Sequence, residues 1–287
     1  MDPASPFASS RPAASRSNLV LRVASAAVLA PLALGVAYLG SWPFALFWCA
    51  AAIVILWEWS SFVCGAGRRA TFATGAVALA VATALLVMTG VARLGVAVMI
   101  VLLGAIAAAG LASSQRRMWC AGGVLYAGIV LIGPVVLRTD AQYGFVAVIF
   151  LFAVVWATDI VAYFAGRAIG GAKLAPAISP NKTWSGAIAG ALAAAAAGVA
   201  VVRLGGAGSP LPVALVALML SVVSQGGDLF ESAVKRRFGV KNASELIPGH
   251  GGLMDRLDGF LAAACAGALF GLLRGGLEAP ARGLIGW

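Results

Sequence analysis

The stretch "YGFVAVIFLFAVVWATDIVAYF", residues 143–164, decides the fold. As a helix it would be about 33 Å long, enough to cross a hydrocarbon layer of roughly 30 Å. Its apolar residues run on without the period-two alternation of a barrel strand. A chain in lipid has only helices or closed barrels open to it, so the stretch reads as a transmembrane helix. Eight further apolar runs have the same character, at 19–39, 43–63, 70–89, 94–112, 118–137, 186–204, 211–230 and 259–273. The expected fold is therefore all-α: a polytopic integral membrane protein with about nine transmembrane helices.

Composition supports this reading and excludes others. The 287 residues are 62% hydrophobic and 10% charged, whereas a soluble domain is roughly a quarter charged. The net charge of +10 invites a nucleic-acid reading. The basic residues, however, lie in short connections between apolar runs, where membrane topology is encoded. With the N-terminus in the cytoplasm, fourteen of the 20 basic side chains fall on the inner side and five on the outer, Arg22 lying within the first run. That bias predicts a cytoplasmic N-terminus. Residues 1–18, rich in Pro, Ser and Ala, read as a disordered cytoplasmic tail before a retained helix. The four cysteines form no CxxC pair, which argues against a zinc site or a disulfide framework.

Two inner connections are long, 166–185 and 235–258, so the functional site should face the cytoplasm. On this basis 19–137 are N-terminal transmembrane helices and 138–287 a catalytic transmembrane region. In "GGDLFESAVKRR", residues 226–237, a continuing helix would align Asp228, Glu231, Ser232 and Lys235 on one face. In "PGHGGLMDRLDG", residues 248–259, Asp255 and Asp258 are one turn apart, and Gly251 and Gly252 let backbone N–H groups approach an anion. Acids beside such a nest suggest Mg²⁺ and phosphate, with Asp228, Asp255 and Asp258 as ligands. His250 either helps a leaving group depart or braces its loop. "SPNKTWSG", residues 179–186, sets Lys182 before a helix N-terminus, a seat for phosphate. Asp159 and Tyr163 share a face in "ATDIVAYFAGR". Glu58, between Trp57 and Trp59, reads as a headgroup-level residue outside the site.

The run "SAVKRRFGVKNASELIPGHGGLMDRLDG", residues 232–259, resembles the signature of the phosphatidate cytidylyltransferases, or CDP-diacylglycerol synthases. "SPNKTWSG" and "DIVAYFAGR" also resemble family segments, in the family's order. The chain departs from the pattern at Asn242, where the family has Asp, and at Ser185, where relatives often have Glu or Gln. The resemblance implies transfer of a cytidylyl group from CTP to phosphatidic acid, giving CDP-diacylglycerol and pyrophosphate in phospholipid biosynthesis. It further implies Mg²⁺, with room for a second cation, held by Asp228 and Asp255 with Ser232 as a further ligand. Lys182, Lys235, Arg236, Lys241 and Arg256 would hold phosphates. The implied location is the cell membrane, the inner one in a bacterium, with membrane lipid as partner and no nucleic acid. The rival readings are a CTP-dependent polyprenol kinase and a cation or lipid transporter. Small-residue spacings at Gly186/Gly190 and Gly267/Gly271 permit close helix contacts, within the chain or across a homodimer.

Overall fold

The computed structural model describes residues 13–247 and 251–287. Ten α-helices occur among them: α1 (Ala13–Leu39), α2 (Ser41–Val63), α3 (Arg68–Thr89), α4 (Leu94–Leu111), α5 (Arg117–Arg138), α6 (Gly144–Ile169), α7 (Trp184–Leu204), α8 (Pro210–Arg237), α9 (Met254–Gly275) and α10 (Pro280–Ile285). Each apolar run read from the sequence falls on one of α1 to α9. Seven stretches are long and apolar enough to cross a membrane, one of which, Gly65–Leu111, contains both α3 and α4. In α1 the described apolar part, Ala27–Leu39, is shorter.

The apolar side chains divide into two populations. Trp48, Ile55, Leu131, Phe150 and Leu220 are fully buried, while Met99, Ile106, Leu192 and Leu273 stand exposed on the outer faces, as lipid contact requires. Helices in lipid gain little from hydrophobic burial against one another and rely on close packing. Small residues supply it here. A Cβ at Gly186 would lie 2.6 Å from the Ala162 carbonyl oxygen, and one at Gly190 would lie 2.7 Å from that of Thr158, so α7 meets α6 backbone to backbone. Gly271 packs equally tightly on Pro280 of α10. Both small-residue spacings are thus occupied within the chain. At mid-bundle, Phe260 of α9 stacks between Trp48 of α2, at 5.1 Å, and Phe152 of α6, at 4.9 Å.

One element departs from the all-α reading. Gly170, at φ +68°, ends α6, and the chain enters an antiparallel hairpin of β1 (Lys173–Ala175) and β2 (Ser179–Thr183). Strands this short, interrupted by Pro176 and Pro180, show no alternation in sequence. Lys182 therefore sits on a strand, and α7 starts immediately after it. The Thr183 hydroxyl caps α7 by accepting the Gly186 N–H at 3.2 Å. Ser185 closes the base of the hairpin, its hydroxyl donating to the Gly170 carbonyl at 2.5 Å.

Candidate active site

Helix α8 continues through Arg237, so the expected stripe forms. It ends in three basic residues, Lys235, Arg236 and Arg237, which suit the negative end of the helix dipole. Helix α9 begins at Met254, five residues earlier than its apolar run, which places Asp255 in its first turn and Asp258 one turn on. The end of α8 and the start of α9 lie side by side, and their acids converge there.

Carboxylate oxygens of Asp228, Glu231 and Asp258 all lie within 4.8 Å of one another. Glu231 is fully buried. Its Oε2 lies 2.9 Å from Lys235 Nζ, an ion-pair contact outside hydrogen-bonding geometry, and neither oxygen has a hydrogen-bond partner among the described residues. Lys235 Nζ also meets Asp255 Oδ1 at 2.5 Å, so one lysine joins acids from two helices. Asp228 pairs with Lys182 from the hairpin and lies 3.4 Å from the Ser232 hydroxyl. Asp258 Oδ1 accepts the Gly259 N–H at 2.7 Å.

Three buried or half-buried carboxylates this close repel one another unless positive charge enters between them. Lys182 pairs with Asp228 and Lys235 with Glu231. The donor set is made entirely of hard oxygens, some without partners, and such a set fits a small divalent cation like Mg²⁺.

Asp255 stands outside the trio. Its Oδ2 accepts the N–H groups of Gly252, at 2.8 Å, and Ala243, at 3.1 Å, which ties the α8–α9 connection to the start of α9. The Gly251–Gly252 pair is explained by close approach to carboxylates of the protein itself. Gly251 has φ +86°, and a Cβ there would lie 2.9 Å from Asp255 Oδ2. One at Gly252 would lie 2.6 Å from Glu58 Oε1. The Gly251 N–H donates to the Ile247 carbonyl.

The remaining residues singled out in the sequence surround this cluster. Asp159 is exposed on α6, within electrostatic reach of Asp228, Lys182 and Arg256. Tyr163, one turn further along α6, is exposed and accepts a hydrogen bond from Arg167 at 3.2 Å. Arg236, Lys241 and Arg256 are exposed. His250 lies outside the described residues.

Sequence reasoning missed two neighbours of the cluster. Glu58 is fully buried on α2 and reaches the start of α9. Of the two tryptophans beside it, Trp57 is exposed, whereas Trp59 is buried and donates Nε1–H to the Trp119 carbonyl at 2.9 Å. The signal was present: a carboxylate in an apolar run needs a reason to be there. Tyr126 on α5 places a buried hydroxyl, without a hydrogen-bond partner among the described residues, within electrostatic reach of Asp258, Glu231, Asp228 and Asp255. Nothing in its local sequence marks it.

Comparison with known proteins bears on this geometry. A family model described as "Cytidylyltransferase family" matches residues 20–273. The phosphatidate cytidylyltransferase of Brucella abortus biovar 1 (strain 9-941) is 44% identical over 259 residues, which cover 90% of this chain and 94% of the relative. That of Brucella suis biovar 1 (strain 1330) is 43% identical over the same shares. The Bacillus subtilis (strain 168) phosphatidate cytidylyltransferase is 41% identical over 143 residues, 48% of this chain and 51% of the relative.

Proposed function

Because the chain belongs to the cytidylyltransferase family, we propose that it transfers the cytidylyl group of CTP to phosphatidic acid, releasing pyrophosphate and forming CDP-diacylglycerol. The observation that carries this reading into the structure is the carboxylate trio of Asp228, Glu231 and Asp258 flanked by two lysines.

A phosphate oxygen of phosphatidic acid attacks the α-phosphorus of CTP, and the bond from that phosphorus to the β-phosphate oxygen breaks. The nucleophile is already an anion, so no base need remove a proton, and catalysis reduces to alignment and neutralisation of charge. Lys182 and Lys235 sit where negative charge accumulates. Arg236, Lys241 and Arg256 form a basic rim for the phosphates of both substrates. Asp159 and Tyr163 on α6 border the side from which a lipid headgroup arrives. Asp228, Glu231 and Asp258 would hold Mg²⁺, with Ser232 beside Asp228 and Asp255 linked to the trio through Lys235. When bound, the ion neutralises phosphate oxygens and orients them.

The reading places the protein in the cell membrane with nine crossings and a cytoplasmic N-terminus. Support comes from the fourteen-to-five distribution of basic residues, and on this reading the start of α9 faces the cytoplasm. The acyl chains then stay in lipid while the nucleotide approaches from water.

The test is isotopic. Purified protein with phosphatidic acid, Mg²⁺ and CTP labelled at the α-phosphate should pass label into the lipid and release pyrophosphate only when phosphatidic acid is present. Lipid labelled from the γ-phosphate would identify a kinase. Solute movement across vesicles with CTP left intact would identify a transporter.

A further inference from the structure

Glu58 is a fully buried carboxylate with no lysine or arginine paired to it among the described residues. Its charge is met by three donors, all from the segment leading into α9. Glu58 Oε1 accepts the Ser244 hydroxyl at 2.6 Å and the Leu253 N–H at 2.8 Å, and Oε2 accepts the Met254 N–H at 2.7 Å. The first N–H groups of a helix have no partner within it, and Leu253 at the N-cap of α9 supplies no capping side chain. Glu58 fills that role from about 195 residues away in sequence, at the end of the helix where the dipole favours an anion. Its own helix is held in place: Trp59 bonds to the Trp119 carbonyl, and Arg116 to that of Val63.

We propose that Glu58 is a positioning residue for the transfer reaction: from α2 it caps α9 and holds Ser244, Leu253 and Met254 so that Asp255 and Asp258 meet Lys235, Glu231 and Asp228. The proposal rests on the reading that these acids form the active site. It requires a carboxylate, because both oxygens accept. A glutamine of the same shape would turn an NH₂ group toward a donor on one side or the other.

The test uses E58Q, E58D and S244A in the full chain, reconstituted in lipid nanodiscs. Three quantities are measured: hydrogen exchange of the amides at 252–256, Mn²⁺ affinity by electron paramagnetic resonance without substrate, and the kinetics of pyrophosphate release. In E58Q, exchange at 252–256 should quicken about ten-fold, and Mn²⁺ binding should weaken about five-fold. The same variant should lose about ten-fold in kcat, with KM for phosphatidic acid within about two-fold of wild type. E58D, which keeps the charge, should recover part of each effect, and S244A should shift all of them in the same direction but less.

Faster exchange with unchanged Mn²⁺ affinity and kcat would leave Glu58 a structural cap and overturn the proposal, as would an E58Q protein identical to wild type in all three. If E58Q does not fold, S244A decides on the same criteria. A wild-type protein with no CTP-dependent turnover would defeat the functional reading instead, and the exchange measurement would still decide whether Glu58 holds the first turn of α9.

Discussion

Where α8 stops and α9 starts, carboxylates face one another and two lysines. At the opposite end of the bundle, Asp140 is almost as buried, at 4% exposure, yet meets only backbone. Its Oδ1 accepts the N–H groups of Gln142 and Tyr143 at the start of α6, and its Oδ2 that of Arg282 in α10. The arginines there act likewise: Arg138 donates to the carbonyls of Ala37 and Tyr38, and Arg274 to that of Gly283. Both ends thus hold buried charge, and only the partners differ. Acids whose oxygens are taken up by backbone donors fasten elements together, whereas in the Asp228, Glu231 and Asp258 trio the Glu231 oxygens have no hydrogen-bond partner among the described residues and lie beside like charges. By this standard Glu58 resembles Asp140 although it lies at the other end.

The contrast breaks if acids at the two ends respond alike to substitution. The largest effect is expected for D228N and D258N, which should lower CTP-dependent pyrophosphate release about 10²–10³-fold, as removal of several kcal/mol of charge stabilisation implies. Their thermal unfolding midpoints should hold or rise, because each change removes a negative charge from a repelling cluster; a large drop would make the trio structural. Next is K235M, which strands Glu231 and Asp255 together. Breaking a buried pair of this kind should destabilise the protein by about 3 kcal/mol, read as an earlier unfolding transition in detergent, together with loss of turnover. The smallest is D140A. Loss of its capping bonds should cost about 1–2 kcal/mol of stability with kcat unchanged at temperatures where the protein stays folded. A catalytic defect in D140A would erase the distinction between the ends.

Much of this was legible in the sequence, for physical reasons that also set the limits. The nine apolar runs announce their helices because lipid leaves no alternative for an unpaired backbone. The Asp228 to Lys235 stripe follows from helical spacing once α8 is continued past its apolar part. The hairpin was hidden because β1 and β2 are too short to show a period, so the strand that carries Lys182 up to the start of α7 left no mark in the sequence. The pairing of Glu231 with Asp258, and of Lys235 with Asp255, depends on how α8 and α9 cross, and no spacing within either helix encodes that. Gly251 and Gly252 read in the sequence as a nest for a phosphate, and in the structure protein carboxylates lie close to both. The sequence could not tell that the nearest anions are Asp255 and, across the fold, Glu58.

The bond from Glu58 to the first turn of α9 has a consequence for how divisible the protein is. All the signature residues of the transfer chemistry lie beyond residue 157, so a C-terminal piece would look self-sufficient on paper. Yet one of the fastenings for its key loop is carried by α2, and the helix bearing Tyr126 is α5. Grafting the signature half onto a foreign membrane anchor would carry over the motif without the partner that orders it, so the two halves should be exchangeable between relatives only as a matched set.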